Sequence, residues 1–197
     1  MSDDHGTKAV LRADLLRLRR GLTPRELDAA ARALADRVAD LPEIRAAETV
    51  AAYVSMGTEP GTRELIDALR AAGTRVLLPV LMADNDLDWA AYEGPGALER
   101  TDRGLFEPTG PRLGPEAVTR AGVVLLPGLA VDGAGLRLGR GGGSYDRVLA
   151  RLERDGGRPA LMVLLYANEV VDRVPREPHD HPVHLAVTPG GIHRFTP

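Results

Sequence analysis

LLPGLAVDGAGLRLGRGGGSYDRVL, residues 125–149, sets seven glycines between an apolar run and a helical pattern. VVLLP (123–127) reads as a buried strand and SYDRVLARLER (144–154) as a helix, so 128–143 is expected to be a glycine-dense loop running from a strand end to a helix start. Glycine leaves backbone N–H groups accessible, and with the helix dipole they favour an anion at that helix N-terminus. Arg137 and Arg140 add fixed positive charge. The spacing is not GxxxxGK[ST], and Ser144 stands where GxGxxG needs its last glycine, so a phosphate cradle outside both patterns is expected.

Working outward, residues 8–20 place Leu11, Leu15 and Leu18 on one helical face, with the arginines of this helix and the next, Arg12 excepted, expected in solvent. Thr23, Pro24 and Glu26 read as cap, first-turn proline and capping-box acid of a second helix, with Leu27, Ala31, Leu34 and Val38 on its face and its end near Asp40. TVAAYVSM (49–56) is a buried strand, 57–61 a loop, and Thr62 caps a helix carrying Leu65, Ile66 and Leu69 to Gly73. RVLLPV (75–80) is the next strand. Residues 84–112 fit short antiparallel strands or a long loop, with Trp89 and Tyr92 as packing residues. A helix near 115–121 precedes 123–127, and PALMVLLY (159–166) and LAVT (185–188) complete the strands. Apolar strands alternating with helices predict an α/β fold, Rossmann-like and three-layered: a mainly parallel sheet with helices on both faces.

A length of 197 residues suits a single domain, 1–197, which needs no staple. The absence of cysteine excludes a thiol nucleophile, a thiolate zinc site and disulfides. No run reaches about 18 apolar residues, and acids and arginines interrupt the first twenty, which predicts a cytoplasmic chain without a membrane partner. With 25 basic against 28 acidic side chains and 4% aromatics, a nucleic-acid partner is not expected. Lys8 is the only lysine, a position where a compact ammonium could be required. His179, His181 and His184 could bind zinc and support a hydrolase, although Pro182 breaks any helix that would align them.

KAVLR (8–12), RRGLTPREL (19–27), YVSMGTEPGT (53–62), GLFEP (104–108), the glycine block and VPREPHDHPVHLAVT (174–188) together resemble, in order and spacing, the 5-formyltetrahydrofolate cyclo-ligases, also called methenyltetrahydrofolate synthetases. The resemblance implies ATP binding by Lys8, Ala9, Val10, Leu11 and Arg12 and by Arg137, Leu138, Gly139, Arg140, Gly141, Gly142, Gly143, Ser144 and Tyr145. It further implies folate contacts by Val54 and Glu59, Mg²⁺ at Asp146 and Asp180, and catalytic roles for Arg140 and Glu59. Ser144 and Val131 depart from the family, which usually has tyrosine and phenylalanine there. The implied reaction makes the formyl oxygen of 5-formyltetrahydrofolate a leaving group by phosphorylation from ATP, after which N10 closes the 5,10-methenyl ring. A monomer or weak dimer is expected. The alternative is a member of the same fold that binds nucleotide or folate without this turnover.

Overall fold

The computed structural model describes residues 3–177 and 180–195. Helices α1 (Asp3–Arg20), α2 (Pro24–Ala39) and α3 (Pro42–Ala46) lead into β1 (Thr49–Ala51), α4 (Arg63–Ala71) and β2 (Arg75–Leu81). The middle section holds β3 (Leu87–Ala91), β4 (Leu98–Arg100) and β5 (Phe106–Pro108). After these come β6 (Val123–Pro127), the short hairpin β7 (Ala130–Val131) and β8 (Arg137–Leu138), α5 (Ser144–Arg154), β9 (Ala160–Leu164), β10 (Leu185–Thr188) and β11 (Gly191–Arg194). Seven strands form one sheet in the order β11-β10-β9-β6-β1-β2-β3. The five inner strands run parallel, and β3 and β11 close the edges antiparallel. The α/β class and the largely parallel sheet are those expected from the sequence.

Successive strand residues feed opposite faces, as period-two geometry requires. Val50, Val76, Val123, Leu125, Met162, Leu164, Leu185 and Val187 pack with Leu34 and Val38 of α2, Ile44 of α3 and Leu65, Ile66 and Leu69 of α4. Ala51, Leu77, Val124, Leu126, Val163 and Ala186 pack instead with Val148, Leu149 and Leu152 of α5 and with Ala117 and Val118. Each of the valine, leucine, isoleucine and methionine side chains among these contributes about 1.5–3 kcal/mol relative to exposure. A third cluster seats Leu15 of α1 on Leu129, Ala130, Leu136, Leu138 and Val174, fastening α1 to the β7–β8 hairpin.

Several boundaries differ from expectation, each for a local reason. The strand expected over 49–56 ends at Ala51, because beyond it the chain bends into a loop held by Thr62, whose Oγ1 donates to the Tyr53 carbonyl and accepts from Ser55 N–H. Thr62 does precede α4, but its hydroxyl is committed to that loop and does not cap the helix. The loop expected over 128–143 contains β7 and β8, turned by Asp132, whose Oδ1 accepts from Ala134 and Leu136 N–H and whose Oδ2 accepts from Val174 N–H. The helix expected at 115–121 is a 3₁₀ segment, Pro115–Arg120. In α1 the buried stripe is Lys8, Leu15 and Arg19, with Leu11 and Arg12 half-buried, while Leu18 is 54% exposed. The predicted apolar face was therefore rotated, and Arg19 is no solvated residue.

Candidate active site

Strand order reverses at β1: the chain moves from β1 outward to β2 and β3, then returns to the other side of β1 to place β6. In an open parallel sheet such a switch point leaves a crevice beyond the carboxyl ends of the two central strands. A cavity of about 350 Å³ occupies it. The loop after β1 supplies Tyr53, Val54, Met56 and Glu59, β6 supplies Pro127, and the hairpin and glycine loop supply Arg137 and Gly139 through Asp146. The far wall is Leu81, Leu87, Leu105, Phe106 and Glu107.

The glycine loop delivers the start of α5 to this cavity. Gly141 (φ 94°) and Gly143 (φ 76°) hold left-handed backbone that a side chain would strain, and Gly143 caps α5 without any side-chain hydrogen bond. The first-turn N–H groups of α5 are thus left for another acceptor. Arg137 lies beneath them, its side chain 6% exposed. Its Nη1 donates to the Pro127 carbonyl at 2.9 Å and its Nη2 to Asp146 Oδ1 at 3.1 Å, while its buried Nε has no partner. Burial holds the Arg137 guanidinium below its ordinary basicity, and the fields of Asp146, Tyr145 and Asp180 offset only part of that cost. Arg12 crosses from α1 to donate from Nε to the Gly139 carbonyl at 2.9 Å.

Opposite the glycine loop, Glu59 pairs through Oε1 with Arg140 Nη1 at 2.9 Å and accepts Met56 N–H on Oε2. The pair bridges two walls of the cavity. Burial, reinforced by the Glu59 charge, raises the Tyr53 and Tyr145 hydroxyls above their usual range and keeps both as neutral donors. Under the Glu59 loop, Tyr166 Oη donates to the Thr58 carbonyl at 3.0 Å. Glu169, fully buried, accepts Tyr166 N–H and both Nε and Nη2 of Arg19 at 2.6 and 2.8 Å, and Arg19 Nη2 also reaches the Gly128 carbonyl at 2.7 Å. One buried network therefore ties α1, the root of the glycine loop and the Glu59 loop together.

Of the remaining residues named from sequence, Asp146 lines the cavity and the others do not. Lys8 is buried, with Nζ 2.7 Å from Glu177 Oε2 and 3.0 Å from Asp180 Oδ2. Ala9 and Val10 face solvent, Leu11 packs in the third cluster, and Leu138 is buried there. Asp180 also accepts Glu177 N–H, while Asp146 is half-exposed at the cavity mouth. Of the histidines, His184 Nδ1 accepts Leu161 N–H, His181 lies 3.7 Å from Glu153, and His179 falls outside the described residues. Among the described residues no three acidic or histidine groups converge on a metal position. Trp89 is core and Tyr92 bonds Asp67. The cavity residues Met56, Leu81, Leu87, Phe106 and Glu107 and the Arg19–Glu169–Tyr166 network were not identified from sequence. GLFEP holds Phe106 and Glu107, and RRGLTPREL holds Arg19, but neither segment pointed to a site.

The sequence profile of the 5-formyltetrahydrofolate cyclo-ligase family matches residues 4–189. The 5-formyltetrahydrofolate cyclo-ligase of Mycolicibacterium smegmatis is 39% identical over 190 residues, covering 93% of this chain and 94% of the relative. That of Escherichia coli K12 is 33% identical over 178 residues, covering 88% and 96%. Among solved structures, the 5,10-methenyltetrahydrofolate synthetase of Aquifex aeolicus superposes with a TM-score of 0.81 at 28% identity, covering 95% of this chain and 92% of that one. With a match over nearly its whole length and a sheet of the same fold, the chain belongs to the 5-formyltetrahydrofolate cyclo-ligase family of ATP-dependent ligases.

Proposed function

We propose that this protein closes 5-formyltetrahydrofolate to 5,10-methenyltetrahydrofolate with ATP and Mg²⁺, releasing ADP and phosphate. The observation that carries the reading is the convergence, at one switch-point cavity, of an anion cradle, the partly unsatisfied Arg137 and the Arg140–Glu59 pair. The formyl group is an amide whose resonance is worth a rotation barrier of roughly 20 kcal/mol, so its oxygen leaves only after derivatisation. Transfer of the γ-phosphoryl group to that oxygen breaks the terminal P–O bond of ATP. N10 then bonds to the formyl carbon and gives up its proton as the C–O bond breaks and phosphate departs.

Such a transfer asks for positioning and charge stabilisation, and the residues supply both. The first-turn amides of α5 and Gly139 to Ser144 cradle phosphate oxygens, with Arg137 beneath and Arg12 fixing the loop through Gly139. Glu59 receives the N–H groups of the reduced pterin beside Val54 and Tyr145. Folate docking there releases Arg140 from its 2.9 Å pairing, leaving its guanidinium to follow the charge that develops on the transferring group. Lys8, whose ammonium is held by Glu177 and Asp180, contributes with Ala9, Val10 and Leu11 by docking the segment that carries Arg12 against the glycine loop.

Mg²⁺ typically takes one or two carboxylates and completes its shell with phosphate oxygens and water. The donor set fits that habit: Asp146 would hold the ion at the cavity mouth, and Asp180, already shared by Lys8 and the Glu177 amide, would act through water. When bound, the ion supplies neutralisation of the polyphosphate charge. One unit spanning 1–197, cytoplasmic residence, a monomer or weak dimer, and the absence of nucleic-acid and membrane partners complete the proposal. No described helix is long and apolar enough to cross a membrane. The test is the near-ultraviolet absorbance of the methenyl product on mixing protein, 5-formyltetrahydrofolate, Mg²⁺ and ATP. A rise only with ATP is expected; nucleotide and folate binding without any rise would leave a binding protein on this fold.

A further inference from the structure

On the outer side of the 55–61 loop lies a second cavity of about 430 Å³, between α2, the start of α4 and the β4–β5 hairpin. It shares Met56, Glu59 and Phe106 with the first cavity, so the two adjoin at these side chains. Arg63 stacks its guanidinium 4.4 Å from the centre of that ring, and Arg100, directly opposite Phe106 across the hairpin, lines the same cavity. Among the described residues neither arginine pairs with a carboxylate, so both guanidinium groups beside this cavity keep their hydrogen-bonding capacity. Of the acids lining this cavity, Glu59 is taken by Arg140 and Met56 N–H, which leaves Asp28. α4 begins here too, without a side-chain cap.

We propose that this second cavity seats the glutamyl end of the folate, its two carboxylates held by Arg63 and Arg100 and its aminobenzoyl ring lying on Phe106. The inference rests on the reading above that Glu59 receives the pterin. A folate so anchored is a rod with a neutral ring system at one end and two carboxylates at the other. Among the described residues Phe106 is the only aromatic ring lining both cavities, so an aromatic linker between those ends passes over it. Arginine suits the role, since its planar fork can meet a carboxylate while its face remains on the ring.

The experiment compares 5-formyltetrahydrofolate with 5-formyltetrahydropteroate, which lacks the glutamate, in the wild type, Arg63→Ala, Arg100→Ala and the double variant. KM for the folate should rise about tenfold in each single variant and approach the pteroate value in the double, with kcat and the pteroate KM unchanged. The folate KM should also rise with added salt in the wild type and not in the double variant. Equal wild-type KM values for the two substrates, or variants that weaken both alike, would overturn the inference. Should neither compound turn over, the cyclo-ligase reading itself fails, and the same pair of ligands titrated against the single tryptophan's fluorescence still decides where the carboxylates sit: equal affinities in all four proteins would refute the site.

Discussion

Two buried arginines reach adjacent carbonyls at the end of β6, and they are finished differently. Arg19 donates to Gly128 O and closes a double contact with Glu169, inside a shell where its side chain is 2% exposed. Arg137 donates to Pro127 O but has only the half-exposed Asp146 as counter-charge and an unpartnered Nε. Burial opposes both charges; Glu169 outweighs it at Arg19, whose basicity is raised, while nothing does so at Arg137, whose basicity is lowered. The first arginine is a completed structural joint. The second retains binding capacity, as a site for a transient polyanion requires.

Breaking the completed joint should cost most. Arg19→Ala leaves the Glu169 carboxylate buried and unpaired, and urea denaturation should record a loss of about 3–5 kcal/mol, a large part of a domain's total. A loss under 1 kcal/mol would mean the pair contributes no more than a surface bridge. Arg137→Ala should invert the pattern: stability within about 1 kcal/mol of wild type, but ATP affinity lower by about 10²-fold in equilibrium titration. Equal destabilisation by the two substitutions would erase the distinction. Tyr166→Phe removes the hydroxyl that holds Thr58, so about 0.5–1.5 kcal/mol of stability should go, with a severalfold rise in folate KM and little change in kcat. A fall in kcat alone would place Tyr166 elsewhere in the cycle.

A third arginine sharpens the comparison through pH. Arg151 on α5 pairs with Asp86 at 2.6 Å and holds that carboxyl below its usual range. The stability from this contact is complete above the unfolded Asp value of about 3.9 and is lost as pH falls through the lower folded value. Asp86→Asn should therefore flatten the acid limb of stability below about pH 4; an unchanged limb would assign acid lability to other carboxylates. The smallest effect is expected at Ser144, the first residue of α5 at the cavity: Ser144→Tyr should tighten folate binding a few-fold, because the added ring stacks without displacing any partner of the serine.

The sheet was legible because buried parallel strands are continuous apolar runs, and 76–80, 123–127 and 185–187 carry no polar side chain. The glycine cradle was legible because a strand, a glycine run and a helix pattern are adjacent in the chain. What escaped was long-range. Arg19 lies four residues from Leu15 and so shares its face, yet the helical pattern favoured Leu18, since no local rule reveals that Glu169 waits 150 positions away. Phe106 and the second cavity depend on a hairpin folding back over α4, a contact without any periodic trace. β11 escaped because its GIHR is too short and polar to resemble a strand, and it is held by pairing with β10.

Lys8, the only side-chain primary amine in the protein, is 4% exposed and clasped by Glu177 and Asp180. Burial works against its charge, but the two carboxylates prevail and keep it protonated above the ordinary lysine value. A protonated, enclosed ammonium is a poor nucleophile, so an amine-selective acylating reagent should leave this side chain untouched while α1 stays docked. Acylation at residue 8, followed by mass spectrometry, then becomes a clock for the lifting of α1, readable in the same tube with and without nucleotide.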